Sequence, residues 1–83
     1  MMQIKILGSG CANCKRLEQI TRKVVDALGI EAEFEKVTDY QKIIEYEIMS
    51  TPGLVINEKV AASGRIPSET EIQAWVEEAY KAN

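Results

Sequence analysis

A run of residues typical of a strand changes to one typical of a helix within residues 2–15, MQIKILGSGCANCK. The short, mostly apolar run 2–7 before a glycine-containing loop indicates a buried strand. The chain has two cysteines, Cys11 and Cys14, and both follow that loop. We therefore expect both thiols at the start of a helix, where the backbone presents unpaired N–H groups.

A helix is predicted over residues 12–28. Apolar residues recur there at steps of three and four, which is the spacing of one helical face; they are Leu17, Ile20, Val24, Ala27 and Leu28. Gly29 follows directly, and glycine is common just after a helix because it readily adopts the left-handed backbone conformation. The first third of the chain thus predicts a strand followed by a long helix.

The middle of the chain predicts a second strand and a second helix. Residues 32–37 suit a strand. Thr38, with Gln41 three residues later, matches a capping box and predicts the start of the helix. This helix should end before Thr51, because Pro52 disfavours the helical conformation in the residue that precedes it. Its predicted apolar residues are Tyr40, Ile43, Ile44 and Ile48.

The last third of the chain predicts a hairpin and a final helix. Apolar runs at 54–56 and 60–62 are separated by three turn residues. Ser68 and Glu71 form a second capping box, ahead of a predicted apolar face of Ile72, Trp75, Val76 and Ala79. The order β-α-β-α-β-β-α predicts one α/β domain over residues 1–83. Its four-stranded mixed sheet, with helices packed on it, combines a parallel pair joined by a helix with an antiparallel hairpin.

Charge and hydropathy exclude several classes of function. The chain has 83 residues and a net charge of −3, and it lacks a basic cluster, which argues against binding to nucleic acid. No apolar stretch is long enough for a signal peptide or a membrane span, so we expect no membrane role and a cytoplasmic location. Structural disulfides are rare in that reducing compartment. The cysteines therefore indicate redox chemistry or metal binding.

The spacing of Cys11 and Cys14 favours a dithiol/disulfide redox pair. The thiolate is the reactive form, and a free cysteine with a pKa of roughly 8.5 is mostly protonated at neutral pH. Lowering that pKa to about 7 requires about 2 kcal/mol, which is comparable with what a helix N-terminus supplies. Cys11, near the N-cap, is predicted to be the exposed nucleophile. Cys14, one turn inside the helix and directed towards the sheet, is predicted to be the resolving thiol.

Two other functions use the same residues. A carrier of a soft metal such as Cu(I) also places two cysteines with this spacing between a first strand and a first helix. A non-catalytic adaptor would leave both thiols incidental. A structural zinc site usually needs four ligands, and this chain offers two cysteines and no histidine, so we expect no zinc site within one monomer.

Over nearly its whole length the chain resembles the thioredoxin superfamily, in particular its small glutaredoxin-sized, redox-active members. The resemblance rests on Cys11-Ala12-Asn13-Cys14 between a strand and a long helix, and on Thr51-Pro52 before an apolar strand. It implies that Pro52 follows a cis peptide bond and faces the cysteines. Copper carriers instead end in a strand and normally have methionine where this chain has Ser9, so the resemblance favours the redox function.

The resemblance also implies how the site works. Substrates would be protein disulfides, bound as an extended segment against Thr51 and Pro52, with Gly10 and Gly64 allowing close backbone approach. Electrons would come from a reductase or a small thiol, with no cofactor beyond the Cys11–Cys14 disulfide, and we expect a monomer. One departure is that the buried acid that thioredoxins place six residues before the first cysteine aligns with Lys5. That acid's proton-accepting role therefore does not carry over.

Overall fold

The elements follow one another in the predicted order. In the computed structural model, which describes residues 2–8, 12–48 and 50–81, they are β1 (Met2–Leu7), α1 (Ala12–Leu28), β2 (Ala32–Val37), α2 (Tyr40–Glu45), β3 (Gly53–Ile56), β4 (Lys59–Ser63) and α3 (Glu69–Lys81). The bounds of β1, α1 and β2 agree with the prediction. The expected order β-α-β-α-β-β-α is therefore confirmed.

The four strands form one mixed sheet in the order β2-β1-β3-β4. β1 pairs in parallel with β2 and antiparallel with β3, and β3 pairs antiparallel with β4. Ile4, for example, lies between Phe34 of β2 and Ile56 of β3. The predicted parallel pair and C-terminal hairpin are confirmed, and β1, the strand that leads to Gly8, lies between β2 and β3.

The sheet is covered on two faces by different helices. Side chains alternate across a strand, so successive residues of β1 and β3 lie on opposite faces. Ile6 and Leu54 belong to an apolar cluster with α1 and α3, on what we call the α1/α3 face. Leu7 and Val55 belong to a smaller cluster with Ile43 of α2, on the α2 face. The alternation of each strand thus divides the core into two parts.

The buried stripe of α1 differs in part from the predicted one. Its buried residues are Cys14, Leu17, Thr21, Val24 and Val25, while Ala27, predicted to face the core, is exposed. Thr21 is fully buried, and its hydroxyl donates a hydrogen bond to the carbonyl oxygen of Leu17 at 2.8 Å. This bond to the preceding turn satisfies the hydroxyl and allows a polar residue to take a core position.

The predicted start of α2 is wrong. Asp39, not Thr38, is the N-cap, and its carboxylate accepts a hydrogen bond from the Gln41 N–H at 2.9 Å. A carboxylate at the N-cap satisfies one of the amides that a helix leaves unpaired at its start. The helix ends at Glu45, two residues before Glu47, which has a φ of +61°. α2 is therefore a short helix of six residues.

The predicted apolar face of α2 is also only partly correct. Ile43 is buried, and Ile48, which follows the helix, packs against the same cluster. Tyr40 and Ile44, however, are 72% and 51% exposed. A helix of this length turns one narrow stripe towards the sheet, so residues next to that stripe remain in solvent.

The hairpin and the last helix follow their sequence signals. Asn57 and Glu58 form the β3–β4 turn with φ values of +49° and +67°, the left-handed conformation of tight hairpins. The capping box before α3 is confirmed, since Ser68 N–H donates to Glu71 Oε1 at 3.1 Å and Glu71 N–H donates to Ser68 Oγ at 3.2 Å. Trp75 packs against the α1/α3 cluster, which confirms its predicted core role.

Candidate active site

Cys14 lies in the first turn of α1 with its side chain on the buried side of the helix. Its relative exposure is 5%, and it belongs to the apolar cluster of the α1/α3 face. Its sulfur is disulfide-bonded. Cys11 and Gly10, the other predicted site residues of this loop, lie outside the described residues. The predicted direction of Cys14, towards the sheet, is confirmed.

Gly8 lies directly against the Cys14 sulfur. A Cβ atom added at Gly8 would overlap Cys14 Sγ and would lie 3.7 Å from Thr51 Cβ. Only glycine leaves space for the sulfur at this point, where the chain leaves β1. The Gly8 N–H donates to the Val37 carbonyl oxygen at 3.0 Å, which fixes this backbone to the end of β2. The structure thus brings Gly8, Cys14 and Thr51 together.

The peptide bond between Thr51 and Pro52 is cis, the geometry that the resemblance implies. Thr51 is exposed and Pro52 is buried. The Gly64 N–H donates to the Pro52 carbonyl oxygen at 2.8 Å, and a Cβ at Gly64 would approach Ser50 Cβ to 2.9 Å. Gly64 therefore packs against the Thr51–Pro52 turn, although its role in binding a partner stays a prediction.

A cavity of about 50 Å³ lies beside Cys14. This space is enough for at least one water molecule, which needs roughly 10–15 Å³ of such volume. The cavity is lined by Ile6, Gly8, Cys14, Lys15, Glu18, Lys36 and Thr38. The lining surface is mostly apolar, but three of these residues carry a charge, so charged side chains lie close to the buried sulfur.

Glu18 is the carboxylate of this cavity and is held by two cations. It accepts from Arg22 Nε at 2.9 Å and pairs with Lys36 Nζ at 3.2 Å, while its side chain is only 14% exposed. Burial acts to raise the pKa of the Glu18 carboxyl, but the hydrogen bonds from Arg22 and Lys36 hold it below its usual value. Glu18 was not predicted as a site residue, although its position four residues after Cys14 places both on one side of α1.

Lys5 belongs to a different part of the molecule. It alternates with Ile4 and Ile6 along β1 and is therefore on the α2 face, away from Cys14. Its ammonium lies 2.6 Å from Glu58 Oε1 and 3.0 Å from the Tyr46 hydroxyl. These two hydrogen bonds raise the pKa of Lys5 above its ordinary value. Lys5 is thus part of a polar cluster that joins β1, α2 and the hairpin turn.

The described part of the chain shows neither a group of metal ligands nor a helix that could cross a membrane. Within residues 2–8, 12–48 and 50–81, no three histidine, cysteine or acidic side chains come together in a group that would hold a metal ion. Over the same residues, no helix combines the length and the apolar character that crossing a membrane requires.

Comparisons with known proteins agree with the fold. The family model for the thioredoxin domain matches residues 2–77. The chain belongs to the thioredoxin family. A thioredoxin of Methanothermobacter thermautotrophicus is 44% identical over 73 residues, which cover 88% of this chain and 95% of the relative. A thioredoxin of Methanocaldococcus jannaschii is 40% identical over 73 residues, covering 88% and 84%.

Solved structures of thioredoxins share the fold at low sequence identity. Thioredoxin-2 of a malaria parasite superposes with a TM-score of 0.67 at 14% identity, covering 94% of this chain and 82% of that one. The germline-specific thioredoxin Deadhead of Drosophila melanogaster gives a TM-score of 0.63 at 17% identity, covering 93% and 79%. The predicted thioredoxin-like fold is confirmed, and family membership confirms the expected class, thiol–disulfide oxidoreductase.

Proposed function

We propose that this thioredoxin-family protein reduces protein disulfides with Cys11 and Cys14 as its redox pair. The Cys11 thiolate attacks one sulfur of the partner's disulfide, so that the partner's S–S bond breaks and a mixed disulfide forms. The Cys14 thiolate then attacks the Cys11 sulfur and releases the partner's second thiol. Two electrons and two protons pass to the partner, and the protein is left with a Cys11–Cys14 disulfide.

The position of Cys14 is the observation that carries this proposal. Its sulfur is disulfide-bonded, it is only 5% exposed, and it lies against Gly8 in the first turn of α1. A buried sulfur is poorly accessible to a disulfide on another protein, yet it is within reach of a sulfur three residues earlier on the chain. This supports resolution by Cys14 and attack by Cys11.

The start of α1 supports activation of the attacking thiol. No acidic residue occurs in the first turn of this 17-residue helix, so no neighbouring negative charge there opposes a thiolate. The helix N-terminus stabilises negative charge by up to about 2 kcal/mol in favourable geometry. We therefore propose that Cys11 has a pKa below that of a free cysteine.

The Thr51–Pro52 turn is the proposed site for the partner's backbone. Thr51 is exposed next to Cys14, and the neighbouring Gly64 has no side chain that would obstruct an extended segment. Gly10 is proposed to allow close approach of the partner's backbone as well. We further propose that the protein is a cytoplasmic monomer of one domain. It needs no cofactor beyond the Cys11–Cys14 disulfide, and a reductase or a small thiol reduces this disulfide again after each cycle.

Two serine variants test the assignment of roles. Cys11→Ser is expected to abolish disulfide exchange, whereas Cys14→Ser is expected to attack once and accumulate a mixed disulfide. Mass spectrometry of the non-reduced adducts formed with a protein disulfide substrate measures both outcomes. The reverse pattern would overturn the assignment of roles. Stoichiometric Cu(I) binding without any exchange activity would overturn the oxidoreductase itself and favour a metal carrier.

A further inference from the structure

The charges around the Cys14 cavity differ in sign from those of the chain as a whole. Lys15, Lys36 and Glu18 line the cavity, and the Glu18 carboxylate pairs with Lys36 and with Arg22. Two cations and one anion therefore line this opening, while the whole chain carries a net charge of −3. The side that would meet a partner is locally positive on an acidic protein.

Lys15 and Lys36 reach this position from two elements. Lys15 is exposed in the first turn of α1 and makes no ion pair within the described part of the chain. Lys36 is next to last in β2, and its ammonium is held 3.2 Å from Glu18 while its side chain stays 63% exposed. The anion that holds Lys36 is itself 14% exposed, so solvent and partners meet the cations rather than the carboxylate.

Glu18 pairs with Lys36, and two other acids of the described residues are held by different partners. Asp39 follows the cavity residue Thr38, and its carboxylate accepts the hydrogen bond that caps α2. Glu58 pairs with Lys5 on the α2 face of the sheet. Lys15 is exposed and therefore accessible to an incoming negative charge. Lys36 is paired with Glu18, but its side chain is still 63% exposed.

We propose that the partner of this site carries an acidic segment beside its disulfide, which contacts Lys15 and Lys36 as the disulfide reaches the cysteines. This inference rests on the proposed function and specifies its substrate class. Opposite charges at the edge of an interface mainly accelerate productive encounters, and their effect falls as salt is added. Each exposed pair contributes up to about 1 kcal/mol, which corresponds to about a fivefold change in rate.

Matched peptides test the inference. Two peptides carry the same intramolecular disulfide, and they differ only in having aspartate or asparagine at the positions that flank it. The second-order rate constant for their reduction by the fully reduced protein is measured by acid quenching and mass spectrometry at low and high salt. We expect the aspartate peptide to react about fivefold faster at low salt, with the difference shrinking at high salt.

Charge-reversal variants show which lysines cause the preference for the aspartate peptide. Lys15→Glu and Lys36→Glu should each remove most of the preference for the aspartate peptide. Lys59→Glu makes the same charge change at the start of β4, on the far side of β1 from β2, and should retain the preference. Folding of each variant is checked by circular dichroism.

The outcomes separate this inference from the proposed function. Equal rates for the two peptides, or an equal loss of preference in the Lys59→Glu control, would overturn the acidic partner and leave the oxidoreductase in place. Absence of exchange with both peptides would overturn both proposals. A preference for the aspartate peptide that depends on Lys15 and Lys36 supports both.

Discussion

The two faces of the sheet differ in the size of their apolar clusters and in their polar contacts. On the α1/α3 face, twelve buried apolar residues within the described part of the chain form one cluster, and Cys14 is among them. On the α2 face, four buried apolar residues lie beside the polar cluster of Lys5, Tyr46 and Glu58. The Cys14 sulfur thus lies in the larger apolar cluster. On the α2 face, an ion pair and a hydrogen bond link Lys5 of β1 to Glu58 in the hairpin turn and to Tyr46. We expect changes on the first face to affect both stability and chemistry.

Substitution of two adjacent residues of β3 tests this difference between the faces and should have the largest effect on stability. Leu54 and Val55 are both fully buried, but Leu54 packs in the cluster of Cys14 and Val55 in that of α2. Leu54→Ala should lower the free energy of unfolding by about 3–5 kcal/mol, because it leaves a cavity in the larger cluster. Val55→Ala removes less apolar volume and should cost about 2 kcal/mol. Urea denaturation measures both, and a larger cost for Val55→Ala would contradict the division of the core.

A methyl group at Gly8 should have the next largest effect. The added Cβ of Gly8→Ala overlaps the Cys14 sulfur, so the helix or the end of β1 must shift, at a cost of about 1–3 kcal/mol. Disulfide exchange should slow as well, since the sulfur moves.

Gly29→Ala is the matched control for this substitution. Gly29 has a φ of +68° and no atom within 4 Å of the added Cβ, so the change should cost about 1 kcal/mol without affecting exchange. Equal effects of both substitutions on the exchange rate would show that contact with the sulfur is irrelevant.

Acidification should have the smallest effect and should distinguish the two carboxylates. The pKa values of Glu18 and Glu58 are lowered in the folded protein, by Arg22 with Lys36 and by Lys5 respectively. Their stabilisation is complete above the unfolded pKa of about 4.3 and is lost as the pH falls through the folded values. The loss of stability below a pH of about 5 should be reduced more by Glu18→Gln than by Glu58→Gln. The reason is that Glu58 is far more exposed, so solvent screens its ion pair.

The control for that comparison is Glu33→Gln, an exposed carboxylate on β2 without an ion pair in the described residues. Thermal unfolding at several pH values measures all three variants. A pH profile for Glu18→Gln that coincides with that of Glu33→Gln would contradict the part assigned to the ion pairs of Glu18.

Local signals predicted much of the fold and part of the site. Glycine at position 29, the Ser68 capping box and the apolar periodicities are properties of neighbouring residues, and they predicted α1, α3 and the order of the elements along the chain correctly. The buried position of Cys14 followed from the helical turn alone. Thr21 was missed because its burial depends on a hydrogen bond to Leu17 that composition does not reveal.

Local sequence patterns did not predict the ion pairs and hydrogen bonds between side chains that are far apart along the chain. Glu18 meets Lys36 because β2 pairs in parallel with β1, and that register depends on the complete sheet. Lys5 finds its partners Tyr46 and Glu58 only after α2 and the hairpin have been placed. α2 ended earlier than predicted because Glu47 adopts a left-handed conformation, which its residue type does not favour.

The two sulfurs should differ in accessibility, and site-specific alkylation of the reduced protein measures this difference. Reduced protein is treated with a limiting amount of iodoacetamide at several pH values, and the modified cysteine is located by peptide mass spectrometry. We predict that Cys11 reacts first, with an apparent pKa below that of a free cysteine, while Cys14 is protected by its position against Gly8 and the α1/α3 cluster. Alkylation of Cys14 at the same rate as Cys11, or faster, would show that the fold does not protect Cys14.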